Sequence, residues 1–192
     1  FRREESDADF DSFGAVTGVI DGDENSESLQ RSASIFVEGT SFEGRLDNQI
    51  SIGYADIDRE SFAAGVSSFG SERRTLRYKG SVALNETNRV TFGYEDETTK
   101  SGSDESDTDG LFLLYKTNPL DQLTLTFGIR RDDHDDTDSV TNGRVTASWK
   151  LNELVRFRSS WGEGFKKPSL FQTTFFCCGA TTANPNLKAE ES

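Results

Sequence analysis

Thr75-Leu76-Arg77-Tyr78-Lys79-Gly80-Ser81-Val82-Ala83-Leu84 decides the fold class. In an extended chain successive side chains point to opposite faces. Leu76, Tyr78, Val82 and Leu84 therefore share one face, with Gly80 in their register, and Thr75, Arg77, Lys79, Ser81 and Ala83 share the other. One face is apolar and the other cationic. Outward along the chain the same period recurs. Val90, Phe92 and Tyr94 oppose Arg89, Thr91, Gly93 and Glu95; Leu123, Leu125, Phe127 and Ile129 oppose Gln122, Thr124, Thr126, Gly128 and Arg130. Val145, Ala147, Trp149 and Leu151 oppose Arg144, Thr146, Ser148 and Lys150, and Val155, Phe157 and Trp161 oppose Arg156, Arg158 and Ser160. Ile50, Ile52 and Tyr54 alternate within 49–54, whereas 31–40 and 110–116 are less clean because Phe36, Phe112 and Leu114 fall on the polar side. Period two predicts strands: eight of them, with a ninth near the start.

Connections alternate as well. Segments 42–48, 85–88, 117–121 and 151–153 are short and rich in Asn, Asp, Gly and Pro, which are turn residues. Between them lie segments near 1–28, 59–72, 95–109, 131–142 and 163–188, read as long loops. Three of these concentrate acid: 1–28 holds nine acids against two Arg, 95–109 seven against one Lys, and 131–138 five Asp against one Arg. The formal net charge of the whole chain is −13, so what remains is net basic. The expected architecture is all-β, an antiparallel up-and-down meander with short turns at one end and acidic loops at the other. Outer-membrane barrels carry that asymmetry, and the acids are expected to make the barrel mouth negative.

Composition excludes several alternatives. With 34 acids against 21 Lys and Arg, nucleic acid is not the expected partner, because phosphate binding needs clustered cations. No stretch approaches the ~20 apolar residues of a membrane-spanning helix, which leaves strand-built membrane proteins open. Cys177 and Cys178 are adjacent and are the only cysteines, too few for a disulfide framework or a four-Cys zinc site. The chain opens on Phe1 and has no Met, so it is read as a piece of a longer protein. A soluble β-sandwich would alternate too. Against it stand the cations of the polar face and aromatics placed as two interfacial girdles require, with Trp149 beside a short turn and Tyr54, Tyr94 and Trp161 beside the long segments.

Trp161-Gly-Glu-Gly-Phe-Lys-Lys-Pro-Ser-Leu-Phe-Gln172, followed by Asn184-Pro-Asn-Leu-Lys-Ala-Glu-Glu-Ser192, resembles the signature of TonB-dependent outer-membrane receptors: Gly-x-Gly-Phe-Lys-Ala-Pro-Ser-Leu, a variable loop, then Asn-Pro-Asp-Leu-Lys-Pro-Glu. The departures, Lys167, Asn186 and Ala189, are mild. Phe127-Gly-Ile-Arg-Arg-Asp-Asp-His134 and Gly53-Tyr-Ala-Asp-Ile-Asp-Arg-Glu-Ser-Phe62 are similar to further stretches of these receptors, and the group most resembled is the cobalamin-receptor-like one. The resemblance implies that residues 1–192 are a middle section of a barrel of roughly 22 strands in the outer membrane of a Gram-negative bacterium. The plug domain and the segment that meets TonB are absent from this stretch. It implies TonB-dependent uptake of a small nutrient, cobalamin or a related corrinoid first, a ferric siderophore or haem second. Expected contacts are outer-membrane lipid and lipopolysaccharide, with no nucleic acid. A passive barrel and a soluble ligand-binding β-domain are the alternatives of other classes.

Candidate site residues follow. Arg77, Lys79, Arg130, Arg144, Arg156 and Arg158 would face the lumen and meet ligand. Asp7, Asp9, Asp11, Asp21, Asp23, Asp56 and Asp58 could share a structural calcium, since a hard cation takes six to eight oxygens and the resemblance implies calcium-ordered outer loops. An EF-hand is excluded, because counting from Asp7 puts Ser12 at the glycine position and Gly18 at the glutamate position. No cofactor is otherwise required. His134 is the single histidine, flanked by Asp residues, and is read as hydrogen-bonded or solvated. No nucleophile has a base to activate it and no phosphate loop follows a strand, so the chain is not expected to be an enzyme.

Overall fold

A computed structural model describes residues 1–10, 12–14, 18–20, 22, 24–62, 66–135, 138–168 and 187–192. Among them there are thirteen strands and no helix. β1 (Arg2–Asp9), β2 (Ser12–Gly14) and β3 (Gly18–Ile20) precede a run of long strands: β4 (Asn25–Ser41), β5 (Leu46–Phe62), β6 (Val66–Ala83), β7 (Asn88–Ser101), β8 (Asp104–Leu120), β9 (Leu123–His134), β10 (Val140–Lys150) and β11 (Arg156–Gly162). β12 (Phe165–Lys166) and β13 (Glu190–Glu191) form a separate two-stranded ribbon, as do β2 and β3. β1 and β4–β11 form one nine-stranded sheet in chain order, every described pair antiparallel. The eight expected strands are present, and β1 is the ninth.

The register assembles the apolar positions into one continuous face. Val37, Ile50, Tyr78, Tyr94 and Leu111 are successive partners across five strands. One step further, Leu46, Val82, Val90, Tyr115, Phe127, Val145 and Trp161 follow across seven. No apolar residue is buried among those described, and Ile52 and Trp161 are 61% and 62% exposed. A face this apolar and this open needs a nonaqueous neighbour. On β5 it runs from Leu46 to Tyr54, about 27 Å at ~3.4 Å per residue, comparable with the ~25 Å apolar band of outer-membrane barrels.

The upper edge of that band descends across the sheet. The last apolar residue before polar ones is Tyr54 on β5, Leu76 on β6, Tyr94 on β7, Ile129 on β9 and Trp161 on β11. Yet Tyr54 is paired with Arg74, and Leu76 with Asp96. From β5 to β11 the edge slips eight residues, about 27 Å along the strands for about 29 Å across them. The strands are therefore tilted by roughly 40°, within the ~35–45° of membrane barrels. On β8 an aromatic hydroxyl marks the lower margin, where Tyr115 donates to Asn88 Oδ1 at 2.5 Å; on β6 Tyr78 donates to Asn48 Oδ1 at 2.9 Å within the band, with Val82 still below it.

Turns at the lower end are short for visible reasons. Phe42, Glu43 and Gly44 take left-handed φ of 53°, 58° and 83°, and Asn85 Oδ1 accepts the Thr87 N–H at 3.0 Å. Asn152 Oδ1 accepts the Leu154 and Val155 N–H groups, each at 2.9 Å. Two corrections concern the other end. Most of the supposed loops 59–72 and 95–109 is paired strand. β7 and β8 pair as far as Ser101 and Asp104, closing on Gly102 (φ 61°) and Ser103. Likewise β1 occupies part of 1–28 and pairs with β4, while β9 and β10 take up most of 131–142. These extensions have two wet faces, so no apolar period marks them as strands. Labelling of intact cells tests this topology: a Ser103→Cys variant is expected to react with an impermeant maleimide and Glu86→Cys to stay unlabelled. The reverse pattern would invert the barrel.

The second correction concerns the acids. Beyond the apolar band, the outward face reads Asp7, Glu27, Glu60 along one row, Arg31, Asp56, Glu72, Lys100, Glu105 along another, and Asp96, Asp109, Asp133 along a third. Among the described residues the acids beyond the band thus point mostly away from the lumen, with Glu95, Glu97 and Asp132 among the exceptions, so this sheet does not present the negative funnel expected.

Candidate functional site

The opposite, polar face carries the candidate ligand residues. Arg77, Lys79, Arg130, Arg144, Arg156 and Arg158 all lie on it by register. Two of the six are engaged in a ladder of charges. Glu95 on β7 pairs with Arg77 on β6 and, at 3.3 Å, with Arg130 on β9, which also pairs with Asp132 at 2.7 Å. Arg130 must reach over β8 to meet Glu95. Gly110 makes that possible, since a Cβ there would collide with the Arg130 guanidinium. Lys79 lines a cavity of about 650 Å³ with Glu38, Asp47, Gln49, Ser81 and Thr91. Among the described residues Arg144, Arg156 and Arg158 form no ion pair.

The apolar residues that blurred the alternation also sit on this face. Phe112 covers Gly93 and Leu114 covers Gly128, so each fills the gap left by a cross-strand glycine.

Asp7, Asp9, Asp56 and Asp58 share the outward face at the same end of the sheet. Asp56, only 7% exposed, accepts from Arg31 Nε at 2.9 Å, and Asp58 accepts from the same guanidinium at 2.9 Å. The hydrogen bond to Asp56 foremost raises the Arg31 pKa. No cluster of three or more metal-ligating side chains occurs among the described residues; Asp11, Asp21, Asp23, Cys177 and Cys178 lie outside them. Asp133, also on the outward face, is held below the usual carboxylate range, chiefly by the Arg131 hydrogen bond. Its contribution to stability is present above the ordinary Asp pKa and is lost as pH falls through the lowered one.

Sequence reasoning missed the part of the site nearest the mouth. Directly after β11, Glu163 still runs beside β10, its N–H donating to the Gly143 carbonyl at 3.0 Å; beyond it the chain crosses the polar face. Glu163 Oε2 accepts the Gly143 N–H of β10 at 2.7 Å. The Phe165 ring stacks on His134 of β9, centroids 5.6 Å apart, and Lys167 Nζ donates to Ser106 Oγ of β8 at 2.6 Å. His134 Nδ1 lies 2.9 Å from Thr108 Oγ1, in keeping with its reading as a hydrogen-bonding residue. Beside this crossing is a cavity of about 410 Å³, lined among others by Phe69, Arg73, Glu97, Thr99, Lys167 and Pro168.

The model of the family described as TonB dependent receptor-like, beta-barrel, matches residues 1–192. The chain belongs to the TonB-dependent receptor β-barrel family. Its strands are accordingly those of a Gram-negative outer-membrane barrel, with the apolar face toward lipid and the polar face toward the lumen. Two solved structures are similar to this receptor segment: the siderophore receptor PirA from Pseudomonas aeruginosa, TM-score 0.72 at 19% identity, and a variant of the ferric enterobactin receptor PfeA from the same organism, TM-score 0.72 at 17% identity. Each alignment covers 88% of this chain, and 35% and 31% of the respective receptor. The segment thus spans about a third of their length, and at these identities the likeness is one of fold. The family is one of receptors rather than enzymes.

Proposed function

We propose that the segment is part of the wall of a receptor that carries a ferric siderophore across the outer membrane, energised by TonB through a region outside this stretch. The observation that carries this is the segregation of charge on one sheet. Acids dominate the outward face, whereas on the lumenal one Arg73, Arg77 and Arg130 are matched by Glu97, Glu95 and Asp132 and Arg144, Arg156 and Arg158 add positive charge with no ion pair among the described residues. Ferric chelates built on catecholate or carboxylate oxygens are anions, which such a wall attracts. Both structural neighbours named above are siderophore receptors, which supports the same class; cobalamin, placed first from sequence resemblance, has no comparable observation behind it. Uptake of radiolabelled iron by a receptor-deficient Gram-negative strain carrying the full-length protein tests this. Accumulation with at least one ferric siderophore, lost on deletion of TonB, is the expected result. Accumulation of labelled cobalamin and of no ferric chelate would overturn it.

Calcium has a narrower role under this proposal. Arg31 already supplies counter-charge to Asp56 and Asp58, so these two need no divalent ion to coexist. Siderophore affinity of the purified receptor, measured by fluorescence quenching, is expected to stay within about twofold when calcium is chelated. A larger fall would restore the calcium site drawn from Asp7, Asp9, Asp11, Asp21, Asp23, Asp56 and Asp58.

A further inference from the structure

The two margins of the apolar face differ in charge. On β4–β11 no outward-facing strand residue within the band or below it is charged, and the lower strand ends carry residues such as Gly39, Asn88, Thr117 and Trp149. At the upper margin every strand from β4 to β9 passes directly from an apolar residue to a charge: Arg31, Asp56, Arg74, Asp96, Asp109 and Arg131, in that order. This line keeps to the tilt of the band. Arg31 lies in the cross-strand row of Asp56 and Arg131 in that of Ile50. From β4 to β9 the line therefore slips six residues over five steps, against eight over six for the edge of the band. Three arginines and three aspartates thus stand at one depth, within about 5 Å along the strands.

Two of the arginines are held by their neighbours. Arg31 is bonded to Asp56 and Asp58, and Arg131 to Asp133 at 2.8 Å and Ser139 at 2.7 Å. Arg74 is looser. It meets Glu72 at 3.4 Å with its own side chain 66% exposed, and an exposed pair of that kind contributes little. In its cross-strand row Arg74 has Tyr54 on one side and Thr98 on the other, so the guanidinium is flanked by two hydroxyls. Among the described residues no hydrogen bond occupies either of them. Arginine presents its donors as a planar fork that fits a phosphate two oxygens at a time. Phenolic side chains favour this same headgroup level, where the ring is in hydrocarbon and the hydroxyl in water.

We propose that this upper margin docks a phosphorylated glycolipid of the outer leaflet, lipopolysaccharide, and that the Tyr54, Arg74, Thr98 row receives one of its phosphates. The guanidinium takes two phosphate oxygens in its fork, and the hydroxyls donate to the others. The uncharged lower margin offers the opposite leaflet no such contact. The aspartates bear on which lipid is held. Asp56 and Asp96 lie diagonally from Arg74 on the neighbouring strands, and carboxylates so placed repel a bare anionic phospholipid. A phosphate-rich glycolipid layer carries divalent cations among its phosphates, and hard cations accept carboxylate oxygens as further ligands. Alternating arginine and aspartate therefore continue an ionic layer of both signs. The proposal rests on the family and its membrane placement, and not on which nutrient the receptor carries.

The test is binding of fluorescently labelled lipopolysaccharide to the delipidated full-length receptor, in detergent micelles with magnesium, read by anisotropy. Heat-dependent gel mobility selects folded samples for comparison. Arg74→Gln is expected to weaken binding about tenfold, as loss of a hydrogen bond to a charged group does. Arg74→Lys is expected to fall between, because the ammonium keeps the charge but not the fork. Lipopolysaccharide stripped of its phosphates with hydrogen fluoride is expected to bind the wild type and Arg74→Gln equally weakly. Phosphatidylglycerol is expected to compete poorly, and removal of magnesium by EDTA to weaken lipopolysaccharide binding several-fold. Wild-type affinity in Arg74→Gln, or equal binding of the intact and the dephosphorylated glycolipid, would overturn the site. Should Arg74→Gln not fold, Arg74→Lys and the dephosphorylated glycolipid decide the matter. Phosphatidylglycerol competing as well as lipopolysaccharide, or an affinity unmoved by EDTA, would overturn the glycolipid as the occupant.

Discussion

Leu125→Arg is expected to abolish assembly of the barrel, whereas Thr124→Arg, one residue away, is expected to be tolerated. Leu125 is paired with Thr117 and Ala147 on the outward face, between Leu123 and Phe127 in its own strand, well inside the apolar band. An Arg near mid-bilayer on the lipid face costs about 2–4 kcal/mol, because the guanidinium must shed its water or drag water in with it. Thr124 is paired with Ser148, itself opposite Arg158, on the wet lumenal face, where a second guanidinium keeps its hydration and meets only screened repulsion. The outer-membrane fraction and the heat-dependent gel mobility of the folded barrel read both variants. Wild-type amounts of folded Leu125→Arg protein, or equal failure of the two, would mean that the apolar face does not meet lipid.

The same contrast between faces explains what was legible in the sequence. Where one face meets hydrocarbon and the other water, period two is unmistakable, and 75–84, 89–95, 122–130 and 144–150 could be placed and oriented from residues alone. Beyond the band both faces are wet. Asp96–Ser101 and Asp104–Asp109 pair residue for residue yet carry no apolar alternation, and their Gly102-Ser103 turn is too brief to separate two strands that are themselves polar throughout. The direction of the acids was hidden for a related reason. Which face a side chain occupies follows from parity within a strand, and a stretch taken for a loop has no parity. The segment after β11 lay furthest from view. Its partners belong to β8–β10, far back in the sequence, and the quoted signature around Phe165 signalled a family without showing where the ring goes.

Gly93→Ala is the second substitution expected to act strongly, and Gly39→Ala is its control. A Cβ at Gly93 would stand 2.5 Å from the backbone oxygen of Tyr78 and would intrude on the Phe112 ring. The ring can swing away, but a strand carbonyl cannot move without straining the β6–β7 ladder. That ladder is continuous here, with Tyr78 facing Tyr94 and Lys79 facing Gly93. Overpacking of this kind typically costs about 1–3 kcal/mol, and displacing Phe112 would also uncover the backbone beneath it. At Gly39 a Cβ meets nothing within 4 Å, and φ there is not positive, so alanine should cost nothing and could gain slightly by restricting the unfolded chain. Urea unfolding of the refolded full-length barrel in lipid vesicles, followed by Trp fluorescence, should show a lower midpoint for Gly93→Ala and none of that shift for Gly39→Ala. Combining Gly93→Ala with Phe112→Leu separates the two contacts: partial recovery is expected, since the smaller side chain relieves the ring clash but leaves the Tyr78 oxygen in place. Full recovery would assign the whole penalty to the ring, and an unshifted midpoint for Gly93→Ala alone would mean that β6, β7 and β8 do not approach as closely as their register places them.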